Sequence, residues 1–530
     1  MTVMERHAPA AEIDVCALDD IYPDMGVCAQ LPGRQVALFR VGGTDEVYAI
    51  GNYDPNSGAN VLSRGIVGDV GGRLVVASPI YKQHFDLKTG ECLEDPVASV
   101  RPYAARVANG RVLVVLPRAD ARRGQHRPRL VVIGNGMAAM YAVESLLRTA
   151  PELYEITVFG AEPHGNYNRI LLSPVLAGEK EVDEIMLNTP EWYALRGIVL
   201  HTSDPVVSVD RVRRVVRAKS GYETSYDRLL LATGSNPIII PVPGNNLPGV
   251  LTFRDLGDVD AMLEAASAHR RAVVIGGGLL GLEAANGLLR RGMEVTVVHL
   301  MDWLMERQLD KAAAEMLKAS LEAKGVRFLL SAQTEAILGE HSVAGVRLKG
   351  GEEIPADLVV MAVGIRPNIE LAGQCGLRCE RGVIVDDTMQ TFDPRIYAVG
   401  ECVQHRNATY GLVAPLQEQA QVCATHLAQM GHARYRGSIN STRLKVTGID
   451  LFSAGDFMGG PGTEDLVLRD PRRGIYKRVV LKGNRVTGVV LYGDVQDGSW
   501  YFDLIRNGTD VSAFRSRLLF GEKLAAAQPQ

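Results

Sequence analysis

The sequence predicts a multidomain chain: a small all-β domain, an α/β module with two glycine-turn units, and a small α+β domain at the end. Three observations lead there. Residues 10–117 hold only short β-branched runs separated by Gly, Asn and Asp turns, with no helix of normal length. A strand–glycine turn–helix–strand unit begins at 129 and is repeated from 271. From about residue 430 the texture returns to strands and closes on a short helical stretch. At 530 residues the chain is long enough for three or four domains. Its 46% hydrophobic and 22% charged content is that of ordinary soluble protein.

The runs "QVALFRV", "EVYAI", "RLVVAS" and "RVLVVL" are the strands of the all-β domain. The basic run "RADARRGQHRPR" follows, and 118–128 reads as a solvated linker. Then "RLVVIGNG" is a strand entering a turn, "MAAMYAVESLLRTA" carries apolar residues at helical spacing, and "EITVFG" is the next strand. In the turn Gly134 makes the bend, Gly136 lets a pyrophosphate approach the backbone, and Ala139 is small enough for the helix to pack on the strand. The pyrophosphate would rest on amides at the positive end of the helix. Glu162 follows the second strand, where ribose hydroxyls need an acceptor. Strand, turn, helix, strand and acid in that order point to a dinucleotide.

The second unit, "RAVVIGGGLLGLEAANGLLRRGMEVTVVHL", has Gly276, Gly278 and Gly281 at the same spacing, with Glu283 just inside the helix. Its second strand ends in His299 and Leu300 instead of an acid, and Arg307 lies eight positions beyond His299. The second site therefore has a dinucleotide fold without a sequence-level choice between a free and a phosphorylated 2′-hydroxyl. "YDRLLLATGSNP", with Thr233 and Gly234, and "VVMAVGIRPN", with Gly364, are matching elements of the two units. "IYAVGEC" sets Gly400 and Glu401 after a strand.

The net charge of −4 gives no basis for nucleic acid or an anionic membrane as the main partner. The opening "MTVMERHAPAAEID" has no apolar signal core, and the longest uncharged stretch, "LLLATGSNPIIIPVPGNNLPGVLTF", contains four prolines. The seven scattered cysteines fit a reducing compartment, so a cytoplasmic protein is expected. Cys375 and Cys379 form C-x₃-C with no second pair, too few ligands for a tetrahedral metal site. No metal site is expected.

Residues 129–425 resemble the two-dinucleotide-binding flavoprotein reductases, the glutathione-reductase-like fold. The resemblance implies an FAD-binding domain at 129–250 and 370–430, an inserted NAD(P)H-binding domain at 251–369, and a C-terminal domain at 431–530. It implies that Gly134, Gly136 and Glu162 hold the adenosine half of FAD, and that Asn168, Arg169 and Ser173 of "YNRILLS" lie near the flavin. Thr233 and Gly234 would line the cofactor, and Glu401 would bind the ribityl chain. A helix opening at Pro415 and Leu416 would aim its amides at the flavin. Many members have Lys after that Ser, paired with the Glu of the second turn. Here Pro174 takes the place and leaves Glu283, a possible neighbour of the flavin, without that partner; no catalytic residue is otherwise assigned. No Cys lies between Cys92 and Cys375, so the disulfide relay of some members has no place here.

"VVIGNGMAA", "LMERQLD", "GIRPN" and the tail from "TGIDLFSAGDF" resemble the flavin module at the front of NAD(P)H nitrite reductase large subunits. Residues 10–117 resemble the Rieske-like small subunit of those enzymes, with its ligands replaced. A Rieske centre needs two Cys and two His. Here the first ligand loop reads Asp54-Pro55-Asn56-Ser57-Gly58, and in the second Ser78 and Tyr81 stand in ligand positions. His84 and Cys92 remain nearby. With no cysteine after Cys423 to hold a further cluster, nitrite reduction by this chain alone is not expected. The resemblance implies an FAD-dependent NAD(P)H oxidoreductase that passes electrons to a separate redox protein of a nitrate or nitrite reductase system. A reductase for rubredoxin or ferredoxin, and a non-catalytic redox-sensing scaffold, remain alternatives.

Overall fold

The computed structural model describes residues 11–31, 34–116, 127–439, 441–446 and 448–526. Most of the expected linker, 118–126, lies outside them. The first domain is a six-stranded antiparallel sheet. Its order is Ala11–Ala17, Arg111–Leu116, Pro102–Ala108, Val47–Gly51, Arg34–Arg40 and Gly26–Leu31. A second sheet, Ile66–Val70, Arg73–Ala77 and His84–Asp86, packs beside it. Among the described residues this domain has only 3-10 turns and no α-helix. Successive side chains of a strand point to opposite faces. In Arg34–Arg40 both faces are buried: Val36 and Leu38 enter one core, Ala37 and Phe39 the other. This one strand joins the two sheets into a single domain.

The two α/β units are copies. In the first, parallel strands run Val199–His201, Glu155–Phe159, Arg129–Ile133, Arg228–Leu231 and Ile396–Ala398. In the second they run Arg327–Leu329, Glu294–Val298, Arg271–Ile275, Leu358–Met361 and Val250–Thr252. Each unit also carries a three-stranded antiparallel meander, Val206–Ser225 and Thr334–Pro355. The strand next to the glycine turn is central in both sheets. Each turn therefore opens at the C-terminal edge of a parallel sheet, where such folds bind nucleotides. The chain crosses between units twice, through Ser235–Pro237 and Ile365–Pro367, which pair antiparallel.

Packing places the domain borders away from 250 and 430. Ile240, Val242 and Leu247 join the core under the second sheet. Met430 and Tyr435 join the core of the first unit. The last domain then begins at the strand Ser441–Val446, the edge of a five-stranded antiparallel sheet covered by the helix Gly498–Asn507. Tyr501 and Leu504 of that helix enter the sheet's core. Tyr476 and Tyr492 pack with the core of the second unit, and Tyr476 Oη donates to Asp310 Oδ2 at 2.5 Å. The first domain meets the first unit where Asn60 Nδ2 donates to the Gln429 carbonyl at 2.6 Å. No helix among the described residues is long and apolar enough to cross a membrane.

Candidate functional site: a cleft between two glycine turns

The two glycine turns are alike at the bend. Gly134 has φ +109 and Gly276 φ +120. A Cβ at either would lie 2.1 Å from the Ala232 carbonyl oxygen or 2.3 Å from that of Ala362. Side chains are excluded by both conformation and contact. Gly136 and Gly278, two residues on, face open space with nothing within 4 Å of an added Cβ. A cradle with no side chain at the point of approach is what a pyrophosphate requires. The helices Met137–Thr149 and Leu279–Arg290 start at these points with free N-terminal amides.

A cavity of about 640 Å³ runs from the first turn to the start of the second turn's helix. Gly134, Gly136, Glu162, Arg169, Thr233, Gly234, Glu283, Gly400, Glu401 and Leu416 all reach its wall. Leu279 and Leu280, from the second unit, close the opposite side. Several other expected residues stand behind the wall. Ala139, within the helix Met137–Thr149, is fully buried. Asn168 spends its Oδ1 on the Ile170 amide at 3.1 Å, capping a turn. Ser173 acts through Glu283, and Pro415 is buried. Gly276, Gly278, Gly281 and Gly364 belong to the second unit outside this cavity.

Two charge pairs lie along the cleft. Arg169 binds Glu162, whose other oxygen accepts from Tyr167 Oη at 2.6 Å. Arg254 binds Glu401, which also accepts from Ser235 Oγ at 2.6 Å. The carboxylates expected at the ribose and ribityl positions thus each carry an arginine. Thr233 turns its hydroxyl to the Asn368 carbonyl at 2.7 Å, so its contribution to the cleft is backbone. The buried Gln419 holds the Gly400 amide at 2.9 Å and so fixes the turn that carries Glu401.

Glu283 does not stand alone after the loss of lysine at 174. Ser173 Oγ donates to its Oε2 at 2.6 Å. Burial nonetheless pushes its carboxyl up to about 7, with the Ser173 bond pulling the other way. A carboxyl with a raised pKa therefore faces the cleft where many members of the family that the sequence resembles have a lysine–carboxylate pair.

The helix expected to open at Pro415 and Leu416 starts at Val413, two residues before Pro415. Pro is tolerated in a first helical turn because its missing N–H has no helical partner there. Leu412, Val413, Ala414 and Leu416 at this helix start line the cavity. Sequence reasoning missed Arg254, Asp255 and Asp258, and the C-terminal Ser441, Thr442 and Arg443, all of which line the cavity. Asp255 had a visible signal as an N-cap: its Oδ1 accepts from the Asp258 amide at 2.9 Å. The C-terminal residues had none.

No cysteine lines the cavity. Cys402 is fully buried, and burial pushes its thiol up, away from the reactive thiolate. The former cluster site of the first domain is closed by its own side chains. Ser78 Oγ donates to Asp54 Oδ2 at 2.7 Å, Ser57 Oγ to the same oxygen at 2.8 Å, and the Asn56 amide to Oδ1 at 2.9 Å. Asp54 and Ser78 are fully buried, whereas Tyr81 is 62% exposed. Cys92 and His84 are turned to Glu94 instead. These residues do not fit a two-iron cluster, which needs thiolate and imidazole ligands.

Comparison with known proteins matches residues 128–427 to the family described as pyridine nucleotide-disulphide oxidoreductase. Residues 13–115 match the Rieske-like [2Fe-2S] domain, and 441–509 the rubredoxin NAD+ reductase C-terminal domain. The chain is similar to nitrite reductase [NAD(P)H] of Bacillus subtilis, 50% identical over 386 residues, covering 73% of this chain and 48% of that protein. It is also similar to the assimilatory nitrate reductase electron transfer subunit of Bacillus subtilis, 43% identical over 393 residues, covering 74% and 51%. The chain therefore spans about half the length of these relatives. Among solved structures it resembles putidaredoxin reductase in covalent complex with putidaredoxin, with a TM-score of 0.68 and 26% identity, covering 75% of this chain and 97% of that one.

Proposed function

The chain belongs to the pyridine nucleotide-disulphide oxidoreductase family, and from that premise we propose that it oxidises NAD(P)H through FAD and hands the electrons to a separate redox protein of a nitrate or nitrite reductase system. One observation carries the reading: a single cavity joins the first glycine turn to the helix start of the second, and no thiol stands in its wall. FAD bound there supplies hydride acceptance and one-electron release. The residues contribute the rest. Gly134, Gly136 and the helix amides receive the pyrophosphate, and Arg169 and Arg254 line the same cavity. Glu162 and Glu401 accept from hydroxyl groups. Leu279 and Leu280 give the cleft an apolar side, and hydride transfer between two facing rings is chiefly a matter of orientation. The open end of the helix Val413–Leu427 favours negative charge at the flavin end of the cleft.

The B. subtilis relatives named for nitrite and nitrate reduction support the pathway. A second reading is favoured by the rubredoxin reductase-type C-terminal domain and the putidaredoxin reductase likeness: a small iron–sulfur carrier as acceptor. Purified protein should show a flavin spectrum that bleaches anaerobically with NADH or NADPH. Turnover is then compared with rubredoxin, ferredoxin and a nitrate reductase catalytic subunit. Absence of FAD, or a flavin left oxidised by both nucleotides, overturns the proposal. Turnover with the small carriers alone selects the second reading.

A further inference from the structure

The strand Glu294–Val298 ends where a dinucleotide fold places the group that meets the adenosine ribose. His299 occupies that place and is 7% exposed. Its Nδ1 accepts from the Gly277 amide at 3.0 Å, so that nitrogen carries no proton. The ring proton is then on Nε2, which faces Glu306 Oε2 at 3.2 Å. The loop that bears Glu306 is fastened to the glycine turn itself. The Met305 amide donates to the Gly277 carbonyl at 3.0 Å, and a Cβ on Gly277 would meet Leu304 at 2.7 Å and His299 at 2.8 Å. The Glu306 side chain keeps 25% of its surface open.

We propose that Glu306, oriented by His299, is the carboxylate that receives the ribose 2′-hydroxyl at the second turn, so that the chain selects NADH over NADPH. The proposal rests on the second turn being the nicotinamide nucleotide's site. The acid missing from the end of the strand is supplied from seven residues later, through an imidazole that fixes its position. Glu306 is the binding group and His299 a positioning residue. Glu306 has one oxygen committed to the ring and one left to accept from a hydroxyl. A 2′-phosphate brings roughly −1.5 to −2 charges at neutral pH, and the same carboxylate repels it. Arg307, exposed on the next position, points the choice the other way only if it displaces Glu306 from the ribose.

The test uses FAD-loaded protein and two fragments that need no hydride transfer, ADP-ribose and its 2′-phosphate, titrated by calorimetry. ADP-ribose is expected to bind at least about tenfold more tightly, a difference of roughly 1.4 kcal/mol. Glu306→Gln should remove most of that preference. His299→Phe should weaken it with FAD content retained, which separates positioning from loss of fold. Arg307→Ala should leave it standing. Equal binding of the two fragments, or a preference unchanged in Glu306→Gln, overturns the inference while the nucleotide site stands. If neither fragment binds, the assignment of the second turn falls and the inference with it.

Discussion

Substituting Glu283 by glutamine tests whether the cleft holds a carboxyl at the edge of ionisation. Burial moves that carboxyl from its ordinary 4.5 to about 7. At about 1.4 kcal/mol per pH unit, this amounts to at most about 3 kcal/mol. The folded protein holds this proton more tightly than the unfolded chain. Stability contributed by the group is therefore full below about pH 4.5 and lost as pH rises through about 7. Glutamine keeps the shape and still accepts from Ser173 Oγ, but has no charge to bury. The FAD-free protein should be used, since a ligand bound only to the folded state adds its own stabilisation. Urea midpoints of wild type and Glu283→Gln, taken from pH 5 to pH 8, should start close together. They should then diverge until the variant is more stable by about 2–3 kcal/mol at pH 8. Subtracting one curve from the other cancels every other titrating group. Parallel curves, or a variant less stable at pH 8, would refute the argument from burial.

Gly134→Ala should abolish retention of FAD, measured as the ratio of 450 to 280 nm absorbance, because the new Cβ would sit 2.1 Å from the Ala232 carbonyl oxygen. A strained positive φ adds roughly 1–2 kcal/mol, and full occupancy in that variant would place the nucleotide elsewhere. Tyr476→Phe should cost about 1–3 kcal/mol by leaving the buried Asp310 short of a donor, read as a lowered urea midpoint; no change would mean the last domain is held without this bond. Ser78→Ala should cost a similar ~1–3 kcal/mol by removing one of two hydroxyls on the buried Asp54, read by denaturation with Tyr81→Ala as the exposed control. Equal effects of the two substitutions would contradict the closed ligand site.

What the sequence shows well is local. Each glycine turn, its helix and its flanking strands lie within about thirty residues, and the requirements of the turn are written in consecutive positions. The repeat at 129 and 271 therefore announces two nucleotide units, and Gly134, Gly136 and Glu162 reach the cleft wall. Pairs closed by the tertiary fold leave no such trace. Arg254 and Glu401 are 147 positions apart, and Ser173 and Glu283 are 110 apart. The departure from the lysine-containing pattern was visible at Pro174, but the hydroxyl that takes over sits one residue earlier. At His299 the missing acid was legible, whereas the loop that brings Glu306 back to the ring depends on Leu304 packing onto Gly277. Borders are less legible for a related reason. Residues 240–250 read as a continuation of the first unit, yet Ile240, Val242 and Leu247, partly buried, pack against the core of the second.

The site of contact between the first domain and the reductase bears on what that domain does. The helix Val413–Leu427 has its first turn on the cleft and its last residues next to Gln429 and Gly431. Fifteen residues at about 1.5 Å each span about 22 Å. Asn60 bonds to Gln429, and an added Cβ on Gly431 would come within 3.3 Å of Ala59, so the hairpin of the former first ligand loop sits at the remote end of that helix. Asp54 and Ser78 satisfy one another inside that hairpin's base instead of offering donors outward. The Rieske-like domain, with its ligand positions closed, thus packs beside the end of this helix that is remote from the cleft. The front of the cleft has a different owner: Ser441, Thr442 and Arg443 of the last domain line it, and Arg443 is exposed. The C-terminal domain therefore shares the wall of the cleft, whereas the Rieske-like fold meets the reductase beside the far end of the helix Val413–Leu427.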